Sequence, residues 1–370
     1  VDPAPTHRYF PALDGLRAIS VVIVLLFHHG LLAAGWVGVD VFFALSGFLI
    51  TGILRSSAST ATFWSSFYVK RVTRIVPPVL LLLVLVALLR QTLAPAYLAY
   101  LFFGGNVIEL SSVAIWQLSP LWSLAIEEHF YLAWPLAIRC LSRRILIRLT
   151  LALLLAEPIL RALATLALRH YIGPQLRWNN PIFLLTPFRL DGLLAGGLLA
   201  FLIEDHGLSR VSNILKRFSL PTSAILFAFF LALEAIIPTF RRSTDSLPFN
   251  TFAYTLTAVA SATLIAHLVL NPNASLSSLL SRRPFVLLGR ISYGLYLFQS
   301  PVKAFLNIHL PHTPDGQLFP LTLAATTALA TFSFLCYEKP CIAAGRRMAA
   351  RINAQSSDPV PRIPSPSLVQ

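Results

Sequence analysis

Long apolar runs alternate with short polar segments rich in basic residues, Gly and Pro along almost the whole chain. A helix that crosses a bilayer core needs about 20 apolar residues. Read with a window of that size, the pattern predicts ten helical spans, at 14–34, 38–54, 76–93, 118–138, 145–167, 182–203, 220–239, 251–270, 286–309 and 318–337. Residues 95–110 (PAYLAYLFFGGNVIEL) are apolar but short, and Gly104–Gly105 interrupts them. A re-entrant or interfacial segment is predicted there rather than an eleventh span.

Composition agrees with that pattern and removes the main alternatives. Of the 370 residues, 56% are hydrophobic and 12% charged, against about 25% charged in an ordinary soluble domain. So few ionic groups cannot cover a soluble globule of this length, and a disordered chain needs the opposite balance. The predicted fold class is therefore all-α, a polytopic membrane helix bundle in contact with lipids. The net charge of +14 arises from 29 Lys and Arg against 15 Asp and Glu. These basic residues sit in short groups between apolar runs, as in membrane loops, not on one polar face as a nucleic-acid partner would require. With ten spans and a cytoplasmic N-terminus, 21 of the 29 fall on or near the cytoplasmic side, so both termini are predicted to be cytoplasmic. The organisation expected is a cytoplasmic segment over 1–13, a transmembrane domain over 14–338 and a basic, Pro-rich, disordered cytoplasmic tail over 339–370.

Ionisable residues inside spans are costly and mark function by default. Arg17 and His28 lie 11 residues apart in the first span, which puts them on one helix face about 16 Å apart. His29 points about 100° away and is the more ordinary structural histidine. Arg71 and Arg74, in KRVTRIVPP, are neighbours on a helix surface; they suit either a positive-inside anchor or a clamp for phosphates. Glu127 and Glu128 occur in WSLAIEEHFYLAWP, where Glu127 and Tyr131 share a face. Asp40 and Ser46 fall in GVDVFFALSG, with Asp40 near the outer rim and placed to pair with a base. Arg189 and Asp191, in PFRLDGLLAGG, read as a buried network. No cluster of His, Cys, Asp or Glu has metal-ligand spacing, so no metal is expected.

Taken in order, these segments resemble the membrane acyltransferase-3 family across about residues 9–338. The resemblance rests on DGLRAISVVIVLLFHH with its Arg-x10-His, GWVGVDVFFALSGFLI, the Arg-x-x-Arg of KRVTRIVP, WSLAIEEHFYLAWP, FRLDGLLAGGLLA and LGRISYGLYL, which contains Tyr296. It implies a multi-pass protein of the bacterial cytoplasmic membrane that moves an acyl group, commonly acetyl, onto a hydroxyl. The donor implied is acetyl-CoA or another acyl-CoA, and the acceptor a glycan or lipid-linked sugar at the outer face. Carried over residue by residue, His28 matches the essential histidine and Arg17 its partner, while Arg71 and Arg74 match the cytoplasmic arginines. Glu127 matches the acidic position of the WSL motif. The sequence departs from the family where a late histidine often follows LYL, because Gln299 stands there and cannot take a proton at neutral pH.

On this reading the arginines hold CoA phosphates, and His28 acts as a general base or as an acyl-accepting nucleophile. Glu127 orients, relays or binds the acceptor. Asp40, Ser46, Tyr131, Arg189, Asp191, Tyr296 and Gln299 contact substrate or support the site. The rival class is a carrier that exports an acylated glycan or small molecule, since buried Arg, His and Glu would equally serve a proton-coupled transporter. No inverted repeat supports it.

Overall fold

The computed structural model describes residues 9–171, 180–203, 209–240, 242 and 246–357. Among these residues the chain is helical and contains no strand. It begins with α1 (Pro11–His28), α2 (Val37–Ser57) and α3 (Phe63–Arg90), followed by the short α4 (Ala96–Leu101) and α5 (Gly105–Ile108). Next come α6 (Leu121–Cys140), α7 (Arg143–Tyr171), α8 (Pro181–Leu184), α9 (Asp191–Ile203), α10 (Ser209–Ile236) and α11 (Leu247–Leu270). The last part holds α12 (Ser275–Leu280), α13 (Arg283–Arg290), α14 (Ser292–His309), α15 (Asp315–Ser333) and α16 (Lys339–Ser357).

Seven helical stretches among the described residues are long and apolar enough to cross a membrane. Their outward faces keep large apolar side chains exposed, including Leu155, Ile159 and Leu163 on α7 and Ile225, Phe229 and Ile236 on α10. A soluble monomer does not leave belts of that kind open to water, whereas a bilayer accepts them. The chain is an all-α polytopic membrane bundle.

Each of the ten predicted spans contains helix, but several boundaries move for identifiable reasons. The first span, predicted to 34, ends at His28. Gly30 adopts a left-handed φ of 67°, and the Leu31 N–H bonds Leu26 O at 2.9 Å, which is the hydrogen bonding of a glycine helix stop. The helices predicted in 118–138, 182–203 and 286–309 are outside the seven. The first of these, α6, carries Glu127, Glu128 and His129. The second is divided among α8, a 3-10 turn at Thr186–Phe188 and α9, and the third breaks at Ile291 between α13 and α14. The 95–110 segment forms α4 and α5, reversed at Phe103 with φ 56°; both are far too short to cross a bilayer.

The expected disorder from residue 339 onward needs correction. Residues 339–357 are the helix α16, which continues α15 through one π-helical turn at Phe334–Glu338. Its packing stripe is Ile342, Gly345, Ala349 and Ile352, spaced 3, 4 and 3. A Cβ on Gly345 would lie 2.0 Å from Thr73 Oγ1, so α16 lies directly against α3. Apart from Pro340 in the first turn, the tail's prolines all follow Ser357. Residues 1–8 and 358–370, parts of the expected terminal segments, lie outside the described residues.

Glycine sets the closest helix approach, between α2 and α9. A Cβ at Gly47 would meet Leu193 O at 1.9 Å, and one at Gly196 would meet Ala44 O at 2.0 Å. Backbone-to-backbone contact of this kind is how membrane helices associate without a hydrophobic drive. It brings the polar residues of α2 within reach of α6, α9 and α11.

Candidate active site

The site is assembled around α1, which carries arginine near its start and histidine at its end. Arg17 Nη1 donates to Asp14 Oδ1 at 2.7 Å, and Asp14 also accepts from Tyr9 Oη at 2.7 Å. The first half of α3 brings Arg71 and Arg74 alongside, close enough that the three guanidinium charges act on one another. The Arg71 guanidinium lies 5.7 Å from the ring centroids of both Phe67 and Tyr131, and its buried Nε has no hydrogen-bond partner. Arg74 makes no hydrogen bond or ion pair among the described residues. Its side chain is exposed. Three cations whose one ion-paired carboxylate among the described residues is Asp14 form a strongly anion-seeking group.

Glu127 belongs to this same region. Its Oε1 accepts from Ser46 Oγ at 2.7 Å and its Oε2 from Tyr131 Oη at 3.2 Å. The charges of Arg17 and Arg71 both act on it. The sequence reading grouped Glu127 with His28 as catalytic; the structure joins it to Ser46, Tyr131 and the arginines, and the His28 ring bonds elsewhere. Glu128 adds a second carboxylate here, with a buried and unpartnered Oε1. Tyr296 Oη pairs with Ser123 Oγ at 2.7 Å, tying α14 to α6.

His28 ends α1 and, like Arg74, is exposed. Its Nδ1 lies 2.9 Å from Gln299 Oε1 on α14. Lys303, one turn further along α14, donates to the His28 carbonyl at 2.8 Å and pairs with Asp315 at 2.9 Å. Arg242 sits between Phe27 and Phe183, 4.9 and 5.1 Å from their ring centroids, and its charge reaches His28. His29 is the structural member of the pair: its ring nitrogens contact Leu25 O at 2.9 Å and Thr322 Oγ1 at 3.2 Å.

Asp40, Arg189 and Asp191 lie elsewhere, in a buried ionic network of α2, α7, α9 and α11. Arg189 Nη2 donates to Asp40 Oδ1 at 2.5 Å, and Thr257 Oγ1 donates to Asp40 Oδ2 at 2.5 Å. The Arg189 guanidinium is stacked 4.0 Å from the Tyr254 ring centroid. Arg161 bonds Glu157 and Asp191, each at 3.0 Å, and also reaches the carbonyls of Asn250, Phe188 and Thr251. These contacts join helices around buried charged groups, an arrangement suited to holding the scaffold. Among the described residues, no group of three or more His, Cys, Asp or Glu is placed to hold a metal ion.

Comparison with known proteins bears on what this arrangement does. A family model described as an acyltransferase domain matches residues 10–338. The chain belongs to the acyltransferase-3 family. The match covers the same stretch that the ordered motifs covered, from just before Arg17 to the end of the π-helical turn. Curated relatives include O-acetyltransferase OatA of Staphylococcus aureus, 29% identical over 360 residues, covering 90% of this chain and 57% of the relative. Peptidoglycan O-acetyltransferase OatA of Listeria monocytogenes is 30% identical over 369 residues, covering 90% and 56%. A putative peptidoglycan O-acetyltransferase, YrhL of Bacillus subtilis, is 29% identical, covering 93% and 57%. The chain thus spans a little over half the length of these relatives. No solved structure matches it.

Sequence reasoning missed three residues of the site and its supporting network. Asp14 was signalled by its i,i+3 spacing to Arg17, and Arg161 by its i,i+4 spacing to Glu157. Arg242 carried no local signal, because its importance comes from helices distant in sequence.

Proposed function

We propose that this domain transfers an acyl group, acetyl in the first instance, from a CoA thioester bound at the arginine end of α1 to a glycan hydroxyl presented at the His28 end. The observation that carries the reading is the placement on one helix of Arg17, with Arg71 and Arg74 alongside, and of His28 about 16 Å further along. That span is of the order of an extended pantetheine arm. Arg71 and Arg74, with open donors, suit the donor's phosphates. On this reading the arginine end faces the cytoplasm and the glycan lies outside, in a bacterial cytoplasmic membrane; the grouping of basic residues near that end supports the orientation.

In the transfer step the acceptor hydroxyl gives its proton to His28 Nε2 as its oxygen bonds the acyl carbon. The carbon–sulfur bond breaks, and the thiolate leaves and is protonated. If His28 instead accepts the acyl group, the same Nε2 lone pair forms the bond, and the hydroxyl displaces it in a second step. Glu127, held by Ser46 and Tyr131, offsets the arginine charge beside the donor's path. Membership of an acyltransferase family supports this reading over a carrier, and relatives named for peptidoglycan support a cell-wall glycan as acceptor.

The test is vectorial. Proteoliposomes with one orientation receive radiolabelled acetyl-CoA on the arginine side and isolated peptidoglycan strands on the other. Label is expected in the glycan, with free thiol released on the donor side. Labelling only when both substrates share one side would overturn the proposed route.

A further inference from the structure

The face of α14 that looks into the bundle carries Tyr293, Tyr296, Gln299 and Lys303, spaced 3, 3 and 4. Each bonds a different part of the site. Tyr293 Oη donates to Ile75 O at 3.3 Å on α3, and Tyr296 pairs with Ser123 on α6. Gln299 and Lys303 both hold His28, one by its ring and the other by its carbonyl. The orientation of the Gln299 amide is fixed by its second bond, because Nε2 donates to Tyr296 O at 3.2 Å. A backbone carbonyl only accepts, so the nitrogen of the amide faces Tyr296 and Oε1 faces His28.

That assignment has a chemical consequence. Oε1 is an acceptor and carries no proton, so His28 Nδ1 must be the N–H partner of the 2.9 Å bond. A neutral imidazole then has its lone pair on Nε2. Gln299 is 2% exposed and sits on a helix anchored at four points, so the ring is held as well as the tautomer. We propose that Gln299 is the positioning residue of His28: it fixes the Nδ1–H tautomer and directs the Nε2 lone pair toward the reacting atoms. This rests on the reading of His28 as the reactive group. The position needs an acceptor for Nδ1–H, and a side chain that titrates is not required there. A glutamine in place of the late histidine is therefore compatible with the same chemistry.

The test uses the full chain in proteoliposomes with acetyl-CoA as donor and isolated peptidoglycan strands as acceptor. Gln299→Met keeps the shape and removes the acceptor atom; Gln299→Glu keeps an acceptor. Expected for Gln299→Met is a fall in kcat of about 10- to 100-fold, by analogy with the loss when the partner orienting a metal-binding histidine is removed, with KM for acetyl-CoA unchanged. Gln299→Glu should restore kcat to within about threefold of the parent. If Gln299→Met does not reach the membrane, Gln299→Asn, whose shorter amide withdraws the carbonyl from Nδ1, is read against the same expectation. Full kcat in the variant lacking the acceptor, or equal losses for Met and Glu at equal abundance, would overturn the proposal. Transfer retained in His28→Ala would instead overturn the underlying reading of His28, so the two failures are distinguishable.

Discussion

Replacing Arg74 by Ala probes the donor end without disturbing the scaffold. Arg74 makes no hydrogen bond or ion pair among the described residues and is exposed, so its removal breaks no direct bond; the buried Glu338, on which its charge acts, keeps its hydrogen bond from Ser333. On the proposed reading, what it loses is a charge-assisted hydrogen bond to a donor phosphate. A hydrogen bond to a charged group contributes about 1.5–3 kcal/mol, and each 1.4 kcal/mol is about tenfold in affinity. KM for acetyl-CoA should therefore rise by about 10- to 150-fold, with kcat nearly unchanged, because Arg74 acts far from the acyl carbon. The control is S-acetyl-pantetheine, which carries the thioester but no phosphate, and its KM should not change in Arg74→Ala. Thiol release in proteoliposomes measures both donors. An equal rise for both donors, or no rise for acetyl-CoA, would refute phosphate binding at Arg74.

Three further substitutions test other parts of the account. His29→Ala removes bonds to Leu25 O and Thr322, so it should cost about 1–3 kcal/mol in thermal or detergent stability and leave kcat within about threefold. Arg161→Met leaves Glu157 and Asp191 buried without their cation and should destabilise by about 3–5 kcal/mol; detergent-induced unfolding of the purified protein measures it. Gly289→Ala would place a Cβ 1.9 Å from Asp14 O, forcing α13 away from α1. The expected cost is about 1–3 kcal/mol or more, together with a raised KM for acetyl-CoA as the Asp14–Arg17 pair shifts.

The helices were legible because apolar runs of bilayer length leave little choice of structure, and the i,i+3 pairing of Arg71 with Arg74 survives intact in α3. Boundaries were less legible. The first apolar run continues through Leu31–Trp36, and only the left-handed Gly30 shows why helix ends there. The tail was misjudged because its basic, Pro-rich composition hid the small-residue stripe of Gly345 and Ala349, which acquires meaning only against Thr73. At the site, residues sharing α1 were readable from their spacing. Pairings between helices were not: Glu127 with Ser46 spans 81 positions, and His28 with Gln299 spans 271. No local pattern encodes contacts of that separation, so the departure at Gln299 could be noticed in sequence but not interpreted.

The central claim is that His28 carries out the transfer, and one measurement tests it most directly. The acetyl content of envelope glycan is compared between cells producing the parent chain and cells producing His28→Ala at equal membrane abundance. The account predicts loss of the acetyl groups that depend on this protein, with His29→Ala retaining them. Parental acetylation in His28→Ala would contradict it.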